Sequence, residues 1–179
     1  GNETDVGRAV ASSGIDRQDI FITTKIWPDD LAYADVILTV DDSLRNLGVD
    51  YIDLLLIHWP SKSIPLDETL RAFREVREIG KAKLIGVSNF NTALMTEAVK
   101  ECGTDIACNQ VEYHPFLSQN RVLRLAHQYG MMITAYMPLA KGKAAQHPTL
   151  IEIAESYKKT AAQVALRWLI QHGQLAVIP

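Results

Sequence analysis

Residues 50–60 read DYIDLLLIHWP, a continuous apolar run holding one carboxylate, Asp53, and stopped by His58, Trp59 and Pro60. An unbroken apolar run of this length is the mark of a strand covered on both faces. Four other runs have the same shape: ITTK at 22–25, LIGVSNF at 84–90, CNQVEYHP at 108–115 and MITAYMPLA at 132–140. Each ends in polar or aromatic residues, and each is followed by a helical stretch. Lys25, His58, Ser88, Asn89, Gln110 and Tyr136 therefore stand at the C-terminal ends of successive predicted strands. The mean step between these strand ends is about 28 residues, close to the ~30 of one βαβ unit.

Strict alternation argues for a parallel sheet with right-handed crossovers. In a (β/α)8 TIM barrel the strand ends on that face converge on one active site. The pattern reads as about six of the eight βα units of such a barrel, in one domain over residues 1–179 and without a linker. Helices are expected at 3–12, closed by Gly14, and at 33–47, with Val36, Ile37, Val40, Leu44 and Leu47 inward and Gly48 as the stop. Asp67 reads as the cap of a helix carrying Leu70, Phe73, Val76 and Ile79 and ended by Gly80. Further helices are expected at 92–100, 120–129, 148–158 and 161–172. Strands are expected at 19–25, 50–57, 84–87, 107–111, 132–136 and 175–178, with a Lys/Gly loop at 141–143.

The 179 residues suffice for one sizeable core, yet a full eight-unit barrel takes about 250. Apolar residues make up 47% and charged residues 22%, with a formal net charge of −3. That balance gives no basic bias toward nucleic acid or membrane surfaces. No signal peptide and no run of membrane-spanning length is present in these residues. Cys102 and Cys108 form no CxxC and have no metal-ligand company, so they read as buried, reduced thiols of a cytoplasmic protein, with no metal site. Asn2-Glu3-Thr4 matches a glycosylation sequon, with nothing else pointing to secretion. Neither a GxGxxG nor a GxxxxGK[ST] follows a strand, which excludes a Rossmann fingerprint and a P-loop.

Two readings stand for most strand-end residues. Lys25 is a solvated strand flank, or a buried cation that lowers a neighbouring phenol's pKa. His58 is a satisfied core histidine, or a hydrogen-bond donor to a substrate oxygen. Trp27 and Trp59 are core, or the walls of a substrate pocket. Ser88 and Asn89 are turn residues, or with Gln110 a set of groups suited to a planar carboxamide. Gln110 on a buried strand needs a polar partner. Tyr136 is core, or a ring that stacks on a flat heterocycle. The Lys141-Gly142-Lys143 loop is solvated, or fits a pyrophosphate. Asp53 and Glu112 read as structural partners of basic groups, while His127, His147 and His172 need no role.

Together these stretches resemble the aldo-keto reductase family. The similarity rests on GNETDVGRAV, FITTKIW, DYIDLLLIHWP, KLIGVSNF, CNQVEYHP, AYMPLAKGK and AQVALRWLIQHGQLAVIP, in family order over essentially the whole chain. AYMPLAKGKA is most similar to the bacterial 2,5-diketo-D-gluconate reductase branch. The resemblance implies a (β/α)8 barrel that binds NADPH without a Rossmann domain and passes hydride to an aldehyde or ketone. On that resemblance Lys25 matches the family lysine that tunes the acid tyrosine, and His58 the histidine that orients the carbonyl. Ser88, Asn89 and Gln110 match the carboxamide-binding positions, Tyr136 the nicotinamide-stacking ring, and Leu139 and Lys141 the loop over the pyrophosphate. Trp27 and Trp59 match pocket walls.

The family tyrosine directly precedes the stretch matched by Gly1-Asn2-Glu3, the family aspartate lies further upstream, and a basic segment follows the stretch matched by Ile178-Pro179. The chain is thus expected to be an internal part of a longer barrel, truncated at both ends. The expected function is reduction of small carbonyl compounds, such as diketogluconate or oxo-aldehydes, by a protein that is a monomer when complete and an oligomer if its open edges are real. The alternative is a catalytically incompetent barrel fragment serving as a nucleotide-binding or assembly scaffold. A third reading is an unrelated (β/α)8 enzyme.

Overall fold

The computed structural model describes residues 1–102, 105–171, 173 and 175–179. It falls into two compact units, Gly1–Ser88 with Thr96–Ala107, and Asn89–Met95 with Cys108–Pro179. The expected helix end at His172 lies outside the described residues.

The first unit runs α1 (Glu3–Ser12), β1 (Thr23–Ile26), α2 (Tyr33–Leu47), β2 (Ile52–Ile57), α3 (Leu66–Glu78) and β3 (Ala82–Ser88). The strands are parallel in the order β1-β2-β3, with Lys25 opposite Leu56 and Ile57 opposite Val87. Every residue of β2 is buried, Asp53 among them. A carboxylate there is tolerable only if its oxygens are paired. One oxygen accepts from the Ile22 backbone N–H at 3.0 Å and from Arg17 Nη2 at 2.7 Å, and the other faces Lys83 Nζ at 3.3 Å. Arg17 and Lys83 also lie over the Tyr51 ring, at 4.1 and 3.8 Å from its centroid.

This cluster shortens the first strand. Extended structure was expected from residue 19, but Arg17–Asp19 form a 3₁₀ turn. Arg17 takes the Ile20 carbonyl, Asp53 takes the Ile22 N–H, and the Ile22 carbonyl accepts from both Asp53 and Leu54. Regular pairing starts only at Thr23. The start of α2 is likewise held from outside itself: Glu68 accepts from the Tyr33 N–H at 2.9 Å, and Thr69 donates to the Leu31 carbonyl at 2.8 Å. Asp67 is not the cap of α3; that helix starts at Leu66 after Pro65, and Asp67 lies in its first turn, where a negative charge still favours the helix dipole. Ile79 is 55% exposed at the C-terminal end instead of packing inward.

In the second unit, β4 (Ile106–Glu112) gives its last five residues, and α5 (Asn120–Tyr129), β5 (Met132–Tyr136), α6 (Lys143–Gln146), α7 (Pro148–Ser156), α8 (Ala161–Ile170) and β6 (Leu175–Val177) follow. The helix α4 (Thr92–Cys102) gives residues to both units. The order β4-β5-β6 is again parallel, with Gln110 opposite Thr134 and Glu112 opposite Tyr136. The predicted loop at 141–143 is instead a 3₁₀ turn, Ala140–Gly142, running into α6. Ala144 on that short helix packs with Leu150, Ala154, Ala161 and Ala165. A reciprocal pair of bonds between Thr160 and Gln163 caps α8. Both cysteines are buried and unbridged, and burial pushes the Cys108 thiol up to about 11. Among the described residues, no helix is long and apolar enough to cross a membrane.

Two outcomes test this packing. Gly7 is buried in α1, and a Cβ there would lie 2.4 Å from the Leu47 carbonyl oxygen. Gly7→Ala should therefore lower stability by about 1–3 kcal/mol through forced separation of α1 and α2; an unchanged urea midpoint would refute the close approach. Burial opposes the Asp53 charge, but the Ile22 N–H and the Arg17 guanidinium outweigh it and hold the carboxyl below its usual range. Its stabilisation is present above the ordinary carboxylate pKa and is lost as pH falls through the depressed value. Asp53→Asn should lower stability at neutral pH and flatten the acid limb of a stability–pH curve; a parallel shift without flattening would contradict this.

Candidate active site

Parallel pairing sets the geometry of the first unit's strand ends. Lys25 lies opposite Leu56, and side chains two residues apart on a strand share a face, so Lys25 and His58 point the same way. The His58 N–H continues the ladder to the Ile26 carbonyl at 3.0 Å. Trp27 follows Lys25 by the same step of two, and its ring lies 4.3 Å from the His58 ring, tilted by 36°. Trp27 is 59% exposed, so one face of this pair opens to solvent. Trp59 is exposed and makes no ring contact among the described residues. Lys25 is half-buried, and burial lowers its pKa. His58 is lowered by burial first and by the Lys25 charge second, which keeps its imidazole neutral at pH 7 with one N–H to donate. Thr24, beside Lys25, donates to Glu3 of α1 at 2.5 Å.

Ser88 closes β3 and is buried. In the second unit the next residue, Asn89, adopts a left-handed conformation with φ 62°. Its N–H donates to the Gln110 carbonyl at 2.8 Å, and its Oδ1 accepts from the Tyr136 hydroxyl at 2.8 Å. Asn89 is thus tied to the Gln110 backbone and to the Tyr136 side chain, and Gln110 is buried. Burial, with the neighbouring Glu112 charge, raises the Tyr136 pKa, so its hydroxyl stays protonated and donating. Past Tyr136 the backbone is left-handed at Met137, Ala140 and Lys141, three non-glycine residues with φ 50–54°. Such clustering marks a segment over-determined by its surroundings. Leu139 accepts backbone bonds from Gly142 and Ala144, and Lys141 is exposed.

Sequence reasoning missed two features. Asn109 is fully buried and bonds both polar backbone groups of Phe90. The argument applied to Gln110, that a polar side chain on a buried strand needs a partner, would have found it. His147 is not an idle surface residue: its ring lies 4.8 Å from Phe116, and its Nδ1 is buried without a partner among the described residues. It lines a cleft of about 550 Å³ with Glu112, His114, Lys141 and Lys143. Glu112 pairs with His114 at 3.1 Å. The His114 Nδ1 accepts from the Phe116 N–H, which leaves Nε2 as the donor to Glu112. His127 is exposed on α5.

The sequence profile of the aldo/keto reductase family matches residues 1–179. The methylglyoxal reductase DkgB of Salmonella typhimurium is 41% identical over 181 aligned positions, covering 99% of this chain and 67% of that protein. A solved protein provisionally described as a 2,5-diketo-D-gluconic acid reductase B is 49% identical with a TM-score of 0.97, covering 100% of this chain and 64% of its own. An aldo/keto reductase from Klebsiella pneumoniae, solved with NADP and acetate, is 33% identical with a TM-score of 0.89, covering 100% of this chain and 65% of its own. The chain spans about 64% of the length of the first curated relatives it matches. Its βα units are those of a partial (β/α)8 barrel.

Titration of His58 by NMR should give a pKa below the usual ~6.5. Lys25→Met should raise it part of the way, because the charge is removed while the larger cause, burial, remains. A His58 pKa indifferent to Lys25 would mean the two do not share a face.

Proposed function

The chain belongs to the aldo/keto reductase family, and we propose that the protein carrying it reduces small aldehydes and ketones with NADPH. The observation that carries this reading is the placing of His58 on the same strand face as Lys25 and against the exposed ring of Trp27. Relatives named for methylglyoxal and diketogluconate reduction support short oxo-aldehydes and sugar-derived diketones as the substrate class. The residues of the second unit fit a nicotinamide. Asn89 and Gln110 offer carboxamides that both donate and accept, and Tyr136 offers a ring fixed by its own hydroxyl. The exposed Lys141 on the left-handed loop suits a phosphate group.

When bound, the dinucleotide supplies the hydride. His58 donates its N–H to the carbonyl oxygen, which orients the carbonyl and favours charge building on that oxygen. Trp27 and Trp59 wall the substrate and keep water from the reacting carbon. On this reading the proton donor is a tyrosine immediately ahead of the Gly1-Asn2-Glu3 stretch, as the resemblance to the family implies. Lys25 serves that phenol: a cation beside it favours the phenolate and brings its pKa toward the working range. Asn89, Gln110 and Tyr136 hold the nicotinamide ring in one orientation.

Lys25→Met should cut turnover by at least about a hundredfold while leaving NADPH affinity near wild type. Equal loss of both would remove the role given to Lys25. Intact-protein mass spectrometry should give a mass well above 19.9 kDa with a tyrosine directly ahead of Gly1; a mass of 19.9 kDa would take the proton donor away and with it the proposal.

A further inference from the structure

We propose that Asn109 is a positioning residue that sets where the nicotinamide-stacking ring lies, through Phe90 and Asn89; this rests on the reading of the second unit given above. Asn109 is 0% exposed, on the buried strand β4, one residue before Gln110. Its Nδ2 donates to the Phe90 carbonyl at 2.9 Å, and its Oδ1 accepts from the Phe90 N–H at 3.3 Å. Only one orientation of the amide satisfies both bonds, since a flip would set donor against donor. The side chain thus does what a neighbouring strand would do, and it does it for a single residue beyond the end of β3.

That residue is next to the strained one. Asn89 is left-handed at φ 62°, a conformation that few non-glycine residues hold without support. Its own N–H is tied to the Gln110 carbonyl at 2.8 Å, and the next residue is tied at both polar groups by Asn109. With both sides held, the Asn89 backbone cannot relax toward the common basins. Its side chain is then aimed so that Oδ1 receives the Tyr136 hydroxyl at 2.8 Å. The order of restraint runs from Asn109 to Phe90, to Asn89, to Tyr136. An aromatic side chain on a strand end otherwise has more than one χ1 rotamer, and the phenolic oxygen, at the far end of the ring's long axis, moves with each of them. Anchoring its hydroxyl removes that freedom before any ligand arrives, which is preorganisation for a stacked ring.

The test uses the intact protein, with NADPH affinity followed by fluorescence titration, carbonyl KM measured at saturating NADPH, and a thermal melt for each variant. Asn109→Ala should weaken NADPH about tenfold or more, with carbonyl KM near wild type. Tyr136→Phe, which removes only the hydroxyl, should weaken NADPH in the same direction. The double variant should weaken it by less than the product of the two, because both act on one chain of contacts. Folded Asn109→Ala with unchanged NADPH affinity, or strictly multiplicative effects, would reduce Asn109 to a packing residue and overturn the inference. If Asn109→Ala does not fold, Asn109→Asp decides. Its ionised carboxylate still accepts from Phe90 N–H but cannot donate to the Phe90 carbonyl, whereas its protonated form can. NADPH affinity of that variant, relative to wild type at each pH, should recover as pH falls; absence of recovery overturns the inference. A wild-type protein that binds no NADPH would sink the reading of the site and this inference together, whereas unaltered variants beside a binding wild type would sink the inference alone.

Discussion

A strand with no exposed side chain cannot end a sheet or face water, and β2 is such a strand. All six of its residues are buried, including a carboxylate. It needs a partner on each edge, and β1 and β3 supply them in parallel. Parallel partners cannot be joined by tight turns, so each connection carries a helix and every strand runs the same way. Asp53 adds a second demand. Its oxygens draw in Arg17 and Lys83 at the start of the strands, and that cluster fixes where β1 begins. The end of β2 is then free to carry chemistry in place of stability. Lys25 and His58 share a face because the register of β1 on β2 leaves them no other arrangement.

The second unit solves a different problem. Gln110 and Tyr136 lie on strands, but Asn89 and Lys141 sit on a turn and on a loop as left-handed non-glycine residues, neither of which a sheet holds by itself. Two side-chain amides and one backbone carbonyl take over where the ladder stops. Asn109 stands in for a strand beside Phe90, the Gln110 carbonyl holds Asn89, and Asn89 holds Tyr136. Side-chain amides suit this task because each offers a donor and an acceptor in one plane. Below the loop, α6 and the small-residue contacts of Ala144, Ala154, Ala161 and Ala165 allow helices to approach closely and fix where the loop returns.

Particular elements show how much could be read from the chain. The helix over Tyr33–Leu47 and its stop at Gly48 were legible because a 3.6-residue apolar stripe and a left-handed glycine are local signals. The strand end at Ser88, and those within one residue of Lys25 and His58, were legible because polar residues interrupt apolar runs there, whereas β4 runs on past Gln110 to Glu112. The start of β1 was not, because Arg17 and Asp53 are 36 residues apart and only folding brings them together. Asp67 had the residue type of a cap, but Pro65 already set the entry to α3, and the capping that mattered was Glu68 serving α2. Ile79 fits the stripe of α3 by period yet falls at its end, where the stripe has no neighbour to face. Composition made 141–143 look like a loop, since two lysines and a glycine hide the alanines after them that turn the chain back into helix.

The amino-acid order alone determined the alternation of strand and helix, the parallel architecture and the identity of the groups at the strand ends. Those follow from periodicity and from where apolar runs stop, which are properties of neighbours in the chain. Tertiary structure alone decided the lowering of the His58 pKa, the left-handed hold on Asn89 and the anchoring of Tyr136. Each depends on burial and on partners from other strands: a carboxamide on β4 for the turn after β3, and a lysine on β1 for the imidazole after β2. Desolvation and hydrogen-bond geometry act across space, and no spacing along the chain encodes them.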